Sequence, residues 1–406
     1  MSAPIVDVEK RGFRAPGTGF MVGGSLIGAF GAYVFQWYPT RLLTPDELAP
    51  LSALWTLFFI LITILLIPVE QYVTREVARG RKSLPRDFRP ALVMTLVGSV
   101  IGVLFVGLTL DRLFEGNPQY LIQIVLLVVA YALLCMGKGV LAGSRRFGEV
   151  GWVFIIETSV RLLAGIVLLF LVLSSTSLGW AMVLGAFSVL GLRWWRRDTG
   201  DPTMAPTAAG GFLLGYVGGS SSSQILLAGA PIAVWALGGS NDLVTIMFYT
   251  FTLFRAPLTL IFSLQGRVLP YLVGLSHAGE RDQLSRIARN VVVVGSVLAL
   301  LGGLVGWLVG ADVVGFLYGT AYRPSTIVAT LAAAGVMAAA AAQIASQVLV
   351  GQGKTKLLGF AWFGGLAAAV AVTLLVGGAA DTRVATGFVT GEFAALGLMA
   401  FLATKR

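Results

Sequence analysis

Apolar residues run along the chain in blocks about as long as a bilayer is thick, separated by short polar loops. A hydrocarbon core needs about 20 apolar residues per helix. Twelve stretches meet that length: 17–38, 48–69, 91–110, 120–141, 152–174, 177–195, 210–233, 243–265, 290–310, 325–350, 357–377 and 384–403. The fifth and sixth are parted only by Ser174, Ser175, Thr176 and Ser177, and the tenth holds an alanine-rich run from Ala332 to Ala342. The first is too long for a signal-peptide core and reads as a retained span. Composition supports the pattern. The 406 residues are 57% apolar and 12% charged, whereas an ordinary soluble domain carries roughly twice that charged fraction. A soluble enzyme is excluded, and the expected fold class is an all-α integral membrane protein of about 12 transmembrane helices.

The net charge of +10 raises nucleic acid, a membrane surface or an acidic substrate as partners, and the placement of the bases decides among them. Short loops rich in Lys and Arg stay on the cytoplasmic side. With a cytoplasmic N-terminus, Lys10–Arg14, Arg75–Arg89, Lys138–Arg146, Arg193–Arg197, Arg267–Arg289, Lys354–Lys356 and Lys405–Arg406 share that side, 23 of the 29 bases. Only Arg41, Arg112, Arg323 and Arg383 fall on the other. A missed span would scramble this asymmetry, so both termini are expected to be cytoplasmic in a multi-pass plasma-membrane protein. Nucleic acid is not an expected partner, because the basic loops lack the interleaved aromatics of a strand-binding platform.

The polar stretch 196–209 splits the spans six and six, giving an N-terminal lobe 1–195, a cytoplasmic linker and a C-terminal lobe 210–406. An even number per lobe makes any repeat parallel. Gly19-Phe20-Met21-Val22-Gly23 resembles Gly211-Phe212-Leu213-Leu214-Gly215, and Val140-Leu141-Ala142-Gly143 resembles Val348-Leu349-Val350-Gly351. Gly24-x-x-x-Gly28, Gly98-x-x-x-Gly102 and Gly302-x-x-x-Gly306 suit close helix packing. Pro68, Pro231 and Pro257 interrupt spans two, seven and eight, where neighbouring groups must re-satisfy the freed carbonyls.

Charge at membrane depth costs about 2.5–3.5 kcal/mol per residue on insertion scales, so four residues stand out. Glu157 and Arg161 lie at i, i+4 on span five, on one face and with the acid first, the favourable order; they read as a self-neutralising pair or as a polar wall of a cavity. Arg255 in span eight has no acid one turn away and is expected to face water or an anion. Glu392 in span twelve has no local cation; it is protonated, paired with Arg255 or Arg161, or the carrier of a coupling proton. Gln36, Gln224, Gln265, Gln343 and Gln347 form a second polar layer. Tryptophans and tyrosines near span ends, among them Trp37, Trp152 and Tyr120, form an aromatic belt. One cysteine, Cys135, and one histidine, His277, cannot build a metal site, and no phosphate loop or catalytic constellation appears. No enzyme activity, metal or cofactor is expected. Asp46, Glu47 and Asp111 lie on outer loops too short to build a glycosyltransferase donor site.

Several patches carry a family resemblance. Leu43-Thr44-Pro45-Asp46-Glu47-Leu48, Pro68-Val69-Glu70-Gln71-Tyr72-Val73-Thr74-Arg75, Arg255-Ala256-Pro257, Leu269-Pro270 and Phe316-Leu317-Tyr318-Gly319 together resemble polysaccharide-type flippases of the MATE-like multidrug/oligosaccharidyl-lipid/polysaccharide exporter superfamily. The resemblance implies two six-helix lobes arranged as a V, with a cleft that opens alternately to either face. It implies a lipid-linked saccharide as substrate, glycan-assembly proteins as partners, and Arg255 and Arg161 as holders of its pyrophosphate or acidic sugars. Two acids at depth, Glu157 and Glu392, depart from a cationic cleft and are the candidates for coupling. The acid that cation-coupled drug exporters carry in the first helix is replaced by nothing more polar than Gln36. The expected function is an alternating-access flippase for a lipid-linked oligosaccharide or polysaccharide precursor. The alternatives are a cation-coupled drug antiporter and, from a different class, a non-transporting scaffold of an envelope assembly complex.

Overall fold

A computed structural model describes residues 17–82, 88–198, 200–201, 203, 209–256, 258, 272, 274–276 and 278–404. Its elements are α1 (Thr18–Trp37), α2 (Ala49–Ala78), α3 (Phe88–Leu108), α4 (Gln119–Gly143), α5 (Phe147–Leu171), α6 (Ser175–Ser188), α7 (Ala209–Ala228), α8 (Ala230–Ala236), α9 (Asn241–Phe254), α10 (Asp282–Tyr318), α11 (Thr326–Gly351), α12 (Thr355–Leu375) and α13 (Ala380–Thr404). Among the described residues ten helices are long and apolar enough to cross a membrane. The other two expected spans are the interrupted ones. Span seven is divided at Gly229 into α7 and α8, and span eight is described as α9 up to Phe254. Large apolar side chains point outward, with Phe170 87% and Leu375 84% exposed, as expected where lipid replaces water as solvent.

The break at Pro68 has a local cause and a local remedy. Pro68 has no N–H to give to the carbonyl four residues earlier, and α2 absorbs the defect as a π-turn over Ile62–Leu66, where the Ile67 N–H reaches back to the Ile62 carbonyl. Beyond its expected end at residue 69, α2 continues to Ala78. Its last turns, Glu70 to Ala78, are amphipathic and bury Tyr72, Val73 and Glu76.

The chain divides into two compact units, one of residues 1–43 and 57–216 and one of 44–56 and 217–406. Chain order placed the divide at 196–209. The difference at 44–56 has a packing reason, since Trp55 meets Phe248 with ring centroids 6.3 Å apart. In the first unit Tyr72, Val73, Val140, Leu141 and Trp194 share a core, and α1 lies so close to α5 that a Cβ on Gly24 would come within 2.6 Å of the Gly151 carbonyl oxygen. In the second unit Leu284, Ala342, Trp362, Ala395 and Met399 share a core, and Gly306 of α10 would bring a Cβ within 2.7 Å of the Ala329 carbonyl.

The first residues of the expected linker fold back onto the first unit. The Lys82 N–H donates to the Asp201 carbonyl at 2.9 Å and the Asp201 N–H to the Gly80 carbonyl at 2.8 Å. Between them Arg81 is fully buried and pairs with the fully buried Glu76 at 2.9 Å.

Candidate functional site

In the first unit the ionisable residues at depth come together on α4 and α5. Glu157 and Arg161 bond at 2.9 Å, as their i, i+4 spacing expects, and both are nearly covered. The Tyr131 hydroxyl of α4 donates to Glu157 Oε1 at 2.8 Å and the Thr158 hydroxyl donates to Oε2 at 3.2 Å. The Arg161 guanidinium also lies 5.6 Å from the centre of the Phe35 ring, beside buried Gln36. Its backbone is admitted by Gly185 of α6, where a Cβ would sit 2.7 Å from Arg161 Cβ. Glu157 and Arg161 thus form an ion pair on one helix face, with Tyr131 and Thr158 donating to the carboxylate as well.

A second pair was not foreseen. Lys138, counted among the cytoplasmic loop bases, lies inside α4 and bonds Glu70 of α2 at 2.7 Å, with both side chains under one-fifth exposed. Its ammonium is 5.5 Å from the Phe154 ring centre. Tyr131, buried Cys135 and Lys138 share one face of α4 at i, i+4, i+7 spacing. The signal was present in the sequence, but Glu70 lay one residue past the expected end of span two, and Lys138, inside span four, was counted with the loop bases.

In the second unit Arg255 follows the last turn of α9 and is half-buried. Its Nη1 donates to the Leu227 carbonyl at 2.9 Å, its Nε to the Phe251 carbonyl at 3.0 Å and its Nη2 to the Thr252 hydroxyl at 3.3 Å. Leu227 stands four residues before Pro231, so its carbonyl is the one that Pro231 deprives of a helical donor. Arg255 thus supplies by side chain what the backbone of the broken seventh span lacks. One turn earlier on α7, the Ser223 hydroxyl accepts from Gln343 Nε2 of α11 at 3.0 Å. Gln347 donates to Ser346 at 3.1 Å, and Gln224 is half-buried next to Ser223. Gln265 and His277 lie outside the described residues.

Glu392 lies at the middle of α13 with none of its surface exposed, and neither carboxyl oxygen has a hydrogen-bond partner among the described residues. Of the alternatives for Glu392, pairing with Arg255 is not seen among the described residues. Arg255 bonds Leu227, Phe251 and Thr252, and Arg161 bonds Glu157.

No family model matches the chain. Curated relatives are uncharacterized proteins of Mycobacterium bovis and Mycobacterium tuberculosis, each 24% identical over 412 residues and covering 95% of this chain and 92% of the relative. Among solved structures, the inward-facing conformation of a multidrug resistance MATE family transporter of the MOP superfamily superposes with a TM-score of 0.67 at 15% identity, over 94% of this chain and 93% of that one. An outward-facing conformation of such a transporter gives 0.57 at 15% identity over 96% of both chains. The bent form of the Vibrio cholerae MATE transporter VcmN gives 0.56 at 13% identity, over 95% of this chain and 96% of that one. The chain has the MATE transporter fold. These structural neighbours are transporters.

Proposed function

We propose that the chain is an alternating-access exporter that carries a lipid-linked oligosaccharide or polysaccharide precursor from the cytoplasmic to the outer leaflet of the plasma membrane, with both termini cytoplasmic. The observation that carries this reading is the MATE fold over 94% of the chain joined to a first helix, α1, that contains no acid. Without an acid there, α1 lacks a cation-binding carboxylate of the kind a cation-driven drug exporter uses. Arg255 is the candidate for the anionic part of the substrate, because half-exposed guanidinium at a helix break suits phosphate or acidic sugar. Arg161 is the weaker candidate, since Glu157 already neutralises it. Gln36, Gln224, Gln265, Gln343 and Gln347 are candidate polar contacts for sugar hydroxyls. Glycan-assembly proteins that deliver such a precursor are the proposed partners.

A cation-coupled small-molecule antiporter is the second reading, and the buried acids Glu157 and Glu392 favour it. The two separate in proteoliposomes of the purified chain. A fluorescent short-chain polyprenyl-pyrophosphate disaccharide that gains access to an outside quencher only in the presence of the protein supports the first. Dye efflux driven by an ion gradient, with no movement of the saccharide lipid, refutes the first and supports the second.

A further inference from the structure

We propose that Glu392 is a proton-binding site within the second unit, holding a proton in the present conformation and releasing it to water when the packing around α13 opens. The inference rests on the exporter reading for its consequence but on geometry for its existence. Glu392 is central in the 25 residues of α13, about 18 Å along the axis from either end. Phe388, one turn earlier, and Leu396 and Met399 after it are all buried on the same side. Across from them, a Cβ on Gly335 of α11 would touch the Phe388 ring, and a Cβ on Gly295 of α10 would lie 3.6 Å from Leu396. Register between these contacts brings Ala338, Ala339 and Ala342 of α11, each with none of its surface exposed, to the level of Glu392.

Among the described residues, the elements around Glu392 bring no counter-charge to this level. Helix α11 has no ionisable residue and α8 has none. Helix α12 has Lys356 in its first turn, and α7 has Tyr216 well before the turn that meets α13. On α10, Arg281 just before the helix, Asp282, Arg286 and Arg289 occupy the first turns, while Asp312, bonded to Arg323, and Tyr318 sit near the far end. On α9, Asp242 opens the helix, Tyr249 stacks on Tyr318 and Tyr322, and Arg255 is bonded to Leu227. On α13 itself, Asp381 and Arg383 lie in the first turn, the latter bonded to the Thr373 carbonyl.

A carboxylate with none of its surface exposed and no donor or cation among the described residues is not sustained at this depth, whereas a carboxylic acid is. A permanently neutral position gains nothing from an acid over leucine, so a second state is implied. The way to that state is also visible. An apolar cavity of about 250 Å³ is lined by Leu226, Ala369, Val384 and Phe388. Leu226 and Ala369 are the side chains that a Cβ on Gly391, the residue before Glu392, would meet. Displacement of Leu226 or Phe388 joins the cavity to the carboxyl. Water entering there takes the proton as hydronium and leaves the carboxylate.

The full chain in lipid nanodiscs tests the site without any substrate. Infrared difference spectra between wild type and Glu392→Gln are expected to reveal the carbonyl-stretch band of a protonated carboxylic acid that Gln lacks and Glu392→Asp shifts. An alkaline pH jump is expected to release about one more proton from wild type than from Glu392→Gln. Identical spectra, or identical proton release, would overturn the proposal. In proteoliposomes with the fluorescent saccharide lipid, Glu392→Gln is expected to retain downhill movement and lose its response to an imposed pH gradient; an unchanged response also overturns it. If wild type moves no saccharide lipid, the exporter reading fails, while the infrared band and the proton count still decide the site.

Discussion

The link between Pro231 and Arg255 makes the sharpest quantitative prediction. Replacing Arg255 by Met removes the donor to the Leu227 carbonyl at 2.9 Å. It also removes the Nε bond to the Phe251 carbonyl, but there the Arg255 backbone N–H, at 3.0 Å, remains. The loss therefore concentrates on Leu227, a buried residue, whose carbonyl has no helical donor. An orphaned buried carbonyl costs about 1–3 kcal/mol, toward the upper end when the lost donor is charged. For a unit of this size each kcal/mol lowers the melting temperature by about 2–4 °C, so Arg255→Met is expected to melt roughly 4–10 °C lower. Pro231→Ala returns an N–H that reaches Leu227 once the helix straightens. In that background Arg255→Met should cost about 1–2 kcal/mol less than in wild type. Intrinsic tryptophan fluorescence of the four proteins in detergent closes the cycle. Equal losses in both backgrounds would refute the idea that Arg255 serves the carbonyl freed by Pro231.

Three further outcomes follow from the same geometry. Glu157→Gln or Arg161→Gln alone strands a nearly covered charge and should cost about 3–5 kcal/mol, whereas the double substitution should recover much of it; melting of all four variants gives the coupling, and additive losses would refute the pair. A Cβ on Gly200 would lie 2.6 Å from the Lys82 backbone nitrogen, so Gly200→Ala should cost about 1–3 kcal/mol and speed alkylation of buried Cys135, the single thiol, as the first unit opens more often. Glu47 accepts from the Thr44 N–H at 2.7 Å and its hydroxyl at 2.8 Å, which holds its carboxyl below the usual range. Because the folded value is depressed, its stabilisation is present above about pH 4.3 and is lost as pH falls through the lower folded value. For so exposed a group the effect is well under about 1 kcal/mol, and a pH dependence of melting identical in Glu47→Gln would contradict it.

The membrane architecture was legible because its physical basis is local. Twenty apolar residues in a row have one inexpensive environment, and the ten uninterrupted helices fall where the apolar blocks stand. The pair Glu157 and Arg161 was legible for the same reason, since i, i+4 spacing on one helix settles its geometry. Lys138 and Glu70 were not, because their meeting depends on how far α2 runs past its apolar block and on how closely α2 and α4 pack. Pro231 was visible as a defect in span seven, but its remedy comes from Arg255, 24 residues along the chain on another element. Nothing in local spacing ties a side chain to a particular carbonyl, and the same gap left the buried pair of Arg81 and Glu76 among loop residues.

The two units handle charge at depth by different means, and the difference bears on coupling. In the first unit three acids have a base beside them: Glu157 with Arg161, Glu70 with Lys138, and Glu76 with Arg81. Such pairs hold their charge states together, because ionising or neutralising one member strands the other. In the second unit Arg255 bonds carbonyl and hydroxyl oxygens, which do not titrate, and Glu392 has no hydrogen-bond partner among the described residues. A proton added to or removed from Glu392 therefore changes the net charge of its unit by one, with no partner to cancel it. On the proposed reading of Glu392, a proton gradient would act through a change of that kind in the second unit, whereas in the first unit neutralising one member of a pair would strand the other.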